Sequence, residues 1–552
     1  MTALFTTAQN WLAQDPDAET RAELQTLLNQ AKAGDMNAQK ELHNRFNGRL
    51  QFGTAGLRGR LQAGSMGMNR VLVAQAAGGL AEYLKGYDSE PSIVLGYDGR
   101  KNSDVFVQDT AEIMAGAGIK TFLLPRKLPT PVLAYAIKYL NTTAGVMVTA
   151  SHNPPEDNGY KVYLGKANGG GQIVSPADVD IAKLIDKVAN GDIRDLPRSQ
   201  HYTVLDDEIV EAYIAKTASI AKEPQANINY VYTAMHGVGY EVLSKTLAKA
   251  GLPQPHLVEE QIQPDGSFPT VNFPNPEEKG ALDLAIKLAK AKNAEFIIAN
   301  DPDADRLAVA VPDSEGNWKP LHGNVIGCFL GWYLAKQYHA QGKQGKLACS
   351  LVSSPALAEI AKKYGFQSEE TLTGFKYIGK VNDLLFGFEE ALGYLVDPDK
   401  VRDKDGISAA IAFLDLVRSL KKEGKTLTDY ANDFTAEFGA YVSGQISIRV
   451  NELSDIGKMM TALRKEPLTE LGGFKVTQFI DHSKTDRASD ILVFVLENGS
   501  RLIVRPSGTE PKVKFYLDVC GTDPKNADEV LAEFDENVRQ ILRQEKYGKQ
   551  DC

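Results

Sequence analysis

Cysteine is scarce in this chain of 552 residues. The four cysteines are far apart and form no CxxC pair: Cys328, Cys349, Cys520 and Cys552. Because a zinc site built on cysteine needs closely spaced ligands, we expect none here. The same scarcity favours a reducing compartment.

Long apolar runs are missing as well. No run approaches the ~18 apolar residues that a membrane-spanning helix needs. The first twenty residues lack the basic start and the long apolar stretch of a signal peptide, and their pattern predicts a helix. We therefore expect a cytoplasmic protein with no membrane partner.

Basic residues are not in excess. The chain has 61 Lys and Arg against 71 Asp and Glu, a formal net charge of −10. This balance argues against a nucleic-acid partner, since such proteins usually carry a basic excess. An anionic substrate remains possible because a local basic pocket can lie in an acidic protein.

The chain does contain an alternation of strand and helix patterns. Short apolar runs at 145–148 and 296–299 predict buried parallel strands, and helical patterns occur at 71–84 and 282–291. This alternation predicts α/β layers. From residue 441 onward, clusters of β-forming residues and a final helical pattern predict a smaller α+β domain with an antiparallel sheet.

The length predicts several domains, because one domain usually holds roughly 100–200 residues. We place their boundaries where the pattern changes. The resulting domains are 1–205, 206–317, 318–440 and 441–552.

The segment TASHNPP at 149–155 directly follows the predicted strand 145–148. Ligands of open α/β sheets gather beyond the carboxyl ends of strands, so Ser151 is placed to act as a nucleophile or phosphate carrier. An ordinary polar turn is the alternative, because Ser, Asn and Pro dominate turns. His152 is compatible with a base, an orienting group or a simple loop residue.

The segment DPDADR at 301–306 follows the predicted strand 296–299. Its carboxylates Asp301, Asp303 and Asp305 are hard to keep ionised together without a cation. An EF-hand is excluded, since Arg306 stands where that loop needs glycine. The pattern favours Mg²⁺ with a phosphate oxygen in its shell, and Arg306 would grip that phosphate. A solvated acidic turn is the alternative.

The segment RPSGTEPK at 505–512 also follows an apolar strand. Arg505, Ser507 and Thr509 supply a charge and two hydroxyls, and Gly508 permits close approach of backbone N–H groups to an anion. This combination favours a phosphate cradle over a plain hairpin turn.

Two further segments are weaker indicators. GFEEALGY at 387–394 holds Glu389 and Glu390 between glycines, and paired carboxylates can bind vicinal sugar hydroxyls, although acidic pairs on loops are usually solvated. FGTAGLRGR at 52–60 has two arginines among three glycines, which suits an anion site but lacks the spacing of a dinucleotide loop.

These segments, in the order in which they occur along the chain, resemble those of the α-D-phosphohexomutase superfamily, whose best known members are phosphoglucomutase and phosphomannomutase. The motifs at 52–60, 373–379 and 387–394 are most similar to the branch of bacterial phosphoglucomutases and phosphopentomutase-like enzymes. The resemblance implies three related α/β domains with mixed sheets and a C-terminal α+β domain around one central cleft.

The resemblance also implies residue roles. Ser151 matches the phosphorylated serine and, with Asp301, Asp303 and Asp305, forms the expected ligand set of one Mg²⁺ ion per chain. The expected catalytic residues are Ser151, Arg58, His152, Lys161 and Lys404. The expected substrate-binding residues are Arg306, Lys376, Glu389, Glu390, Arg505, Ser507, Gly508 and Thr509. Many relatives have a serine where this chain has Ala391, which leaves the preferred sugar open.

The activity implied is that of a phosphoglucomutase, which interconverts glucose 1-phosphate and glucose 6-phosphate. It proceeds through a phosphoserine enzyme and a hexose 1,6-bisphosphate that also serves as activator. Mannose or pentose specificity on the same mechanism is the alternative. Two other classes remain: a phosphohydrolase with Asp301 as nucleophile, and a non-catalytic sugar-phosphate binding protein. The expected partner is a small sugar phosphate, and the expected state is a monomer or homodimer.

Overall fold

The structure is a computed structural model that describes residues 1–52, 56–222, 226–449, 453–506 and 512–544. The chain divides into two compact units. The first comprises Met1–Leu321, Gly374–Lys380 and Gly393–Arg418, and the second comprises His322–Thr373, Val381–Leu392 and Ser419–Cys552.

Three helices begin the chain: α1 (Thr2–Gln14), α2 (Ala18–Lys32) and α3 (Met36–Phe46). Asp17 and Asp35 cap the second and third by accepting hydrogen bonds from backbone N–H groups of the first turn. Buried residues of these helices, among them Trp11, Leu28 and Leu42, belong to the same apolar core as the first sheet.

The first sheet is mixed and has seven strands in the order β1-β5-β4-β2-β3-β7, with β6 paired to β5. The strands are β1 (Leu57–Arg60), β2 (Ser92–Tyr97), β3 (Lys120–Leu123), β4 (Ala144–Val148), β5 (Asp157–Leu164), β6 (Gly171–Gln172) and β7 (Thr203–Val204). The helices are α4 (Arg70–Tyr87), α5 (Ser103–Gly116), α6 (Thr130–Tyr139) and α7 (Ala177–Ala189). Because β4 is buried on both faces, it consists of apolar residues and glycine throughout.

The second sheet is also mixed and has five strands in the order β12-β11-β10-β8-β9. The strands are β8 (Tyr230–Thr233), β9 (His256–Leu257), β10 (Phe296–Ala299), β11 (Ala308–Pro312) and β12 (Trp318–Pro320). The helices are α8 (Glu208–Ala218), α9 (Gly239–Ala250) and α10 (Asp283–Lys292). The predicted strand 296–299 is β10 itself, whose four residues are all buried.

In the next part of the chain, a central strand pairs in parallel with a neighbour on each side. The central strand is β13 (Lys346–Ser350), and its neighbours are β14 (Gln367–Thr371) and β15 (Leu384–Glu389). The other elements here are α11 (Gly323–Ala340), α12 (Ala356–Tyr364), α13 (Phe375–Ile378), β16 (Gly393–Leu395), α14 (Gly406–Lys422) and α15 (Leu427–Phe438).

The last sheet has six strands in the order β17-β22-β21-β20-β19-β18, and every pair is antiparallel. The strands are β17 (Ala440–Arg449), β18 (Glu470–Leu471), β19 (Phe474–Asp481), β20 (Leu492–Leu496), β21 (Arg501–Pro506) and β22 (Lys512–Gly521). The helices are α16 (Leu453–Lys465) and α17 (Pro524–Leu542). The predicted α/β layers and the antiparallel C-terminal sheet are therefore confirmed.

Among the described residues, no helix is both long and apolar enough to cross a membrane.

Candidate active site

Ser151 lies on the loop that follows β4, and its hydroxyl meets the aspartate loop that follows β10. The Ser151 Oγ donates a hydrogen bond of 2.7 Å to Asp301 Oδ2. Ser151 is buried and has a φ of 52°, in the left-handed region that a non-glycine residue rarely adopts. The strained turn therefore aims the hydroxyl directly at the carboxylates.

A buried arginine holds this turn in place. Arg100 donates to four backbone carbonyl groups of the loop, those of Ser151 and Asn153 at 2.6 Å, Pro154 at 2.8 Å and Asp157 at 3.1 Å. Sequence reasoning missed this residue, because the GYDGR segment at 96–100 precedes the serine by about fifty positions and contains no motif that announces a partner.

Asp98 completes the support of the serine turn. Its carboxylate accepts from Thr149 Oγ1 at 2.6 Å and lies 3.6 Å from the guanidinium of Arg100. Thr149 Oγ1 in turn accepts the backbone N–H of Ser151 at 2.9 Å. The conformation of the turn is thus fixed by buried charged and hydroxyl groups on both sides.

The carboxylates of Asp301, Asp303 and Asp305 form one buried cluster, with one oxygen of each lying within 4.8 Å of the others. Lys161 on β5 donates to Asp303 Oδ2 at 2.7 Å and to Asp305 Oδ2 at 2.9 Å. Thr130, at the start of α6, donates to Asp303 Oδ2 at 2.5 Å. The structure thus brings together the three predicted carboxylates and one predicted cation.

Charge interactions shift the pKa values of neighbouring groups in this cluster in opposite directions. Burial, together with repulsion from Asp303 and Asp305, raises the pKa of Asp301 well above its usual value. Burial acts the same way on Asp305, but Lys161 and Lys404 outweigh it and lower the pKa of that carboxyl group. For Lys161, burial by itself lowers the pKa, because it disfavours the charged ammonium group. The negative charges of Asp303 and Asp305 outweigh burial and raise this pKa, so the lysine remains charged.

The cluster fits a divalent cation. Asp303 Oδ1 and Asp305 Oδ1 are buried, and neither accepts a hydrogen bond from any described residue. Buried acceptors of this kind are costly unless something binds them. Hard carboxylate oxygens are the donors that Mg²⁺ prefers. Ser151 Oγ, 2.7 Å from Asp301, is close enough to join the set.

Lys404 extends the cationic side of the site. Its Nζ lies 3.3 Å from Asp305 Oδ2 and 3.7 Å from Asp403 Oδ1. Asp403 is buried, and its other oxygen accepts from Tyr163 Oη at 2.7 Å and Gln172 Nε2 at 3.1 Å. Asp403 was not predicted, although it stands next to Lys404 in the chain.

Two more of the predicted cations, Arg58 and Arg306, interact with the same cluster. Burial lowers the pKa of Arg58 on β1, and Asp303 opposes that shift by raising it. The guanidinium of Arg306 is 3.9 Å from both Asp301 and Asp305. The cluster therefore has positive groups from several separate elements around it.

His152 packs against the serine that precedes it. Its Nδ1 is 3.2 Å from Ser151 Oγ. Its ring packs edge to face against the ring of Phe273, with 6.2 Å between the two ring centroids. Burial, and then the charges of Arg306 and Arg58, lower the pKa of His152 well below its usual value. The imidazole is therefore neutral at physiological pH.

Glu389 and Glu390 lie in the second unit, at the end of β15. Ser353 Oγ accepts the backbone N–H of Glu390 at 3.0 Å and donates to Glu390 Oε2 at 3.3 Å. A Cβ added to Gly323 would lie 1.8 Å from the Glu390 carbonyl oxygen, so only glycine allows α11 to begin here. The backbone around this acidic pair is therefore closely held.

Arg505, near the end of β21, is close to the same acidic pair. Burial and the charges of Glu390 and Glu389 raise the pKa of the Tyr516 hydroxyl, whereas Arg505 lowers it. All four side chains are thus within interaction range in the second unit.

Lys376 lies in the first unit on the short helix α13, next to Phe375, whose ring is 5.5 Å from Lys404 Nζ. Burial lowers the pKa of Lys376, and Asp178 partly offsets this shift. The predicted residues Ser507, Gly508 and Thr509 lie outside the described residues.

Models of four consecutive domains of one protein family match this chain. They are phosphoglucomutase/phosphomannomutase alpha/beta/alpha domains I, II and III and the C-terminal domain of the same family, at residues 49–192, 211–316, 322–438 and 446–537. This chain belongs to the phosphoglucomutase/phosphomannomutase family. As a member, it is an isomerase of the phosphohexomutase type, and the resemblance inferred from the motifs is confirmed.

Individual relatives of this phosphohexomutase are similar over almost their whole length. A probable phosphomannomutase of Haemophilus influenzae is 84% identical over 487 residues, 88% of this chain and 100% of that protein. The phosphoribomutase of Saccharomyces cerevisiae is 36% identical over 600 aligned positions, 94% of this chain and 93% of that protein.

A solved structure shows the same fold at lower identity. A phosphoglucomutase/phosphomannomutase family protein from Burkholderia thailandensis superposes with a TM-score of 0.69 at 18% identity. The match covers 90% of this chain and 98% of that one.

Proposed function

We propose that this phosphohexomutase interconverts glucose 1-phosphate and glucose 6-phosphate through a phosphoserine at Ser151. The observation that carries the proposal is the hydroxyl of Ser151, held in a strained turn 2.7 Å from Asp301 within a buried cluster of carboxylates and cations. A phosphate on this oxygen would lie among fixed charges in a site of low dielectric, where electrostatic stabilisation is strongest.

The proposed cycle moves one phosphoryl group out and a different one back. The P–O bond to phosphorylated Ser151 breaks as the free hydroxyl of the bound hexose monophosphate forms a new P–O bond and gives up its proton. The freed Ser151 oxygen takes up a proton. The product is a hexose 1,6-bisphosphate. After the bisphosphate turns around, the Ser151 hydroxyl gives up its proton as it forms a P–O bond to the other phosphate, and the leaving sugar oxygen takes up a proton. No phosphate is gained or lost over the cycle.

The surrounding side chains are suited to this transfer, which depends on positioning and charge neutralisation more than on covalent chemistry. Lys161, Lys404, Arg58 and Arg306 neutralise negative charge near the transferred group, and neutral His152 lies 3.2 Å from the serine oxygen. Mg²⁺ bound by Ser151, Asp301, Asp303 and Asp305 would supply further charge neutralisation at the phosphoryl oxygens.

The substrate-binding set is proposed in the second unit and on α13. Glu389 and Glu390 would accept hydrogen bonds from sugar hydroxyls, and Arg505 would grip the phosphate that does not react, together with Ser507, Gly508 and Thr509. Lys376 would contribute to distinguishing the two orientations of the substrate.

The most specific part of the proposal is the sugar of the substrate. Glucose is supported by the resemblance of the motifs at 52–60 and 387–394 to bacterial phosphoglucomutases. The Haemophilus relative is named for mannose and the yeast relative for ribose, so phosphomannomutase or phosphopentomutase specificity on the same mechanism is the second candidate. Ala391, in the segment 387–394 that we call the sugar loop, is the residue that makes this alternative worth testing.

An aspartate-nucleophile hydrolase is the remote alternative. In that case Asp301 would carry the phosphoryl group. Against this, Asp301 Oδ2 already accepts from Ser151, and Asp301 Oδ1 accepts the backbone N–H of Arg306 at 3.1 Å. One oxygen is therefore bonded to the serine loop and the other to the backbone of its own loop.

The test follows the conversion of glucose 1-phosphate with Mg²⁺ and a trace of glucose 1,6-bisphosphate. Wild type, Ser151→Ala and the surface control Ser219→Ala are compared, with intact-mass measurement of the phosphoenzyme. We expect fast conversion and a phosphoserine in wild type and in the control. In Ser151→Ala we expect kcat to fall on the order of 10⁴-fold or more, as for loss of other catalytic nucleophiles.

Each other outcome decides between named alternatives. Near-normal turnover in Ser151→Ala would contradict the phosphoserine mechanism. Release of inorganic phosphate would favour the hydrolase. Conversion of mannose 1-phosphate or ribose 1-phosphate, but not of glucose 1-phosphate, would keep the mechanism and replace the sugar.

A further inference from the structure

A row of polar side chains crosses three strands of the C-terminal sheet. Ser443 on β17, Asp518 on β22 and Arg501 on β21 lie directly opposite one another in register. Asp518 accepts from Ser443 Oγ at 3.0 Å and from Arg501 Nε at 2.8 Å. Arg501 and Asp518 are buried, so these contacts are made away from solvent.

Arg501 also reaches out of this sheet toward strand β14 and the loop that follows β13. Its Nη1 donates to Glu370 Oε1 at 2.7 Å, and its Nη2 donates to the backbone carbonyl of Ser353. The guanidinium is a planar fork with five donors, so contacts on three sides fix both its position and its orientation.

Ser353 connects Arg501 to the sugar loop. Its carbonyl group accepts from Arg501, while its hydroxyl accepts the N–H of Glu390 and donates to Glu390 Oε2. Ser350 Oγ supports the same carboxylate at 3.2 Å. Only one residue therefore stands between the guanidinium and the carboxylate that we propose as a sugar ligand.

A second route joins the same segments. Asn324, in the first turn of α11, donates to Ser443 Oγ at 2.7 Å and accepts the N–H of Ser354 at 2.9 Å. Both routes end on the pair Ser353 and Ser354, and both begin in the polar row of the sheet.

The phosphate-binding residue lies on the same face of β21. Side chains alternate along a strand, so Arg501, Ile503 and Arg505 share one face. Ile503 packs with Leu351 and Tyr516 in a small apolar core. Strand β21, which holds Arg505, therefore packs on Leu351, in the same loop as Ser353, which bonds to Glu390.

We infer that Arg501 is a positioning residue that keeps the sugar-binding carboxylate of Glu390 in register with the phosphate-binding Arg505. The inference rests on the proposed function of those two residues as substrate ligands. A hexose phosphate has a set separation between its hydroxyls and its phosphate, so two ligands that move independently bind it less tightly.

A purely stabilising role explains the arrangement less well. Burying the guanidinium against the carboxylate of Asp518 contributes little stability compared with apolar packing of the same volume, because both groups lose their hydration. The pair with Glu370 adds little more, because the Glu370 side chain is partly exposed. A precise fork between three segments does, however, set relative position.

The test measures KM and kcat separately, on the hexose 1-phosphate that the wild type converts fastest. Arg501→Met removes the fork, Arg501→Lys keeps its charge, and Ser353→Ala breaks the contact on the Glu390 side while losing only one hydroxyl. Arg464→Met is the matched control, because Arg464 pairs with Asp481 and Asp490 elsewhere in the same sheet domain. Glu390→Gln reports the sugar contact itself, and thermal unfolding confirms that each variant is folded.

We expect KM to rise about tenfold in Arg501→Met and about threefold in Ser353→Ala, with kcat within about twofold of wild type. Arg501→Lys should recover part of the loss, and Arg464→Met should leave KM unchanged. The inference is overturned if Glu390→Gln raises KM while folded Ser353→Ala and Arg501→Met do not. If Glu390→Gln itself leaves KM unchanged, the sugar-binding role of Glu390 fails and the inference falls with it.

Discussion

In the first unit, Ser151 is surrounded by buried ionised side chains, with Asp303 and Asp305 bound directly to Lys161. In the second unit, the carboxylate of Glu390 is held by the neutral hydroxyls of Ser350 and Ser353. The carboxylates of the first region are therefore paired directly with lysine, whereas neutral hydroxyls bond to the carboxylate of Glu390 in the second region.

This difference matches two kinds of chemistry. Phosphoryl transfer develops and moves charge, so preorganised charges in a dry site lower its barrier. Recognition of sugar hydroxyls instead needs acceptors at fixed positions, and the cost of a mismatch appears in binding. We therefore expect variants in the first region to lower kcat and variants in the second region to change KM or the choice of sugar.

The largest effect should come from Asp303→Asn, which removes one negative charge from the cluster and leaves Lys161 with one fewer carboxylate partner. We expect kcat to fall on the order of 10³-fold and Mg²⁺ affinity to weaken, because carboxylates are the charged ligands of the ion. Calorimetric titration with Mg²⁺ and steady-state kinetics measure both.

Asp265→Asn is the matched control, since Asp265 is bonded to Ser267 on an exposed turn. Chelation by EDTA should abolish wild-type activity and Mg²⁺ should restore it. Full activity of Asp303→Asn at low Mg²⁺ would contradict the proposal that the aspartate cluster binds the metal.

The next largest effect should be on stability, at the buried ion pair between Lys400 and Asp405. Lys400 Nζ is 2.8 Å from Asp405 Oδ2, donates to Thr217 Oγ1 at 2.7 Å and lies 4.2 Å from the ring of Tyr213. Lys400→Met leaves Asp405 charged and buried, which should cost about 3 kcal/mol or more of unfolding free energy. The urea midpoint of the first unfolding transition measures the loss.

The control is Lys183→Met, which breaks an exposed pair with Asp180 on α7. Exposed pairs contribute little, so no measurable shift in the midpoint is expected. An equal shift in both variants would show that burial of the Lys400 pair does not matter.

A smaller effect is expected from Arg100→Lys, which keeps the charge but cannot reach four carbonyl groups of the serine loop at once. The serine turn should loosen, so kcat should fall about thirtyfold with little change in KM, since small misplacement of a reacting group is costly. Arg126→Lys, on a surface pair with Asp207 and Glu241, is the control. A rise in KM without a fall in kcat would contradict the assignment of Arg100 to the transfer region.

The smallest effect should come from Ala391→Ser in the sugar loop, which adds one hydroxyl beside Glu390. We expect the ratio of kcat/KM for mannose 1-phosphate and glucose 1-phosphate to change by less than about tenfold, the size of one hydrogen-bond difference. Paired assays on the two sugars measure it, with Ala358→Ser on α12 as control. A fall in kcat for both sugars alike would contradict the expectation that variants in the second region change KM or the choice of sugar.

Local sequence was enough to predict the strands that end in functional loops. The runs 145–148 and 296–299 correspond to β4 and β10, because strands buried on both faces must be apolar over their whole length. It also predicted Ser151 and the aspartates 301, 303 and 305 as site residues, since unusual residue types follow each strand immediately, and the structure brings these side chains together. These signals lie within a few residues of one another in the chain.

The supports of the site could not be predicted in this way. Arg100, Asp98, Asp403 and Arg501 act on residues that are distant in the chain or on backbone carbonyl groups, which every residue has. A buried arginine in a strand or turn looks the same in sequence whether it binds a substrate or its own protein. Only the packing of separate elements shows which partner it has.

The amino-acid sequence by itself determined the α/β class, the antiparallel last sheet, the family and the residue types at the site, because periodicity and motif chemistry are local properties. The tertiary structure alone decided that Ser151 faces Asp301, that Lys161 and Lys404 share Asp305, and that Arg501 reaches Ser353. Those contacts join residues far apart in the chain, and they exist only because strand order brings the loops together.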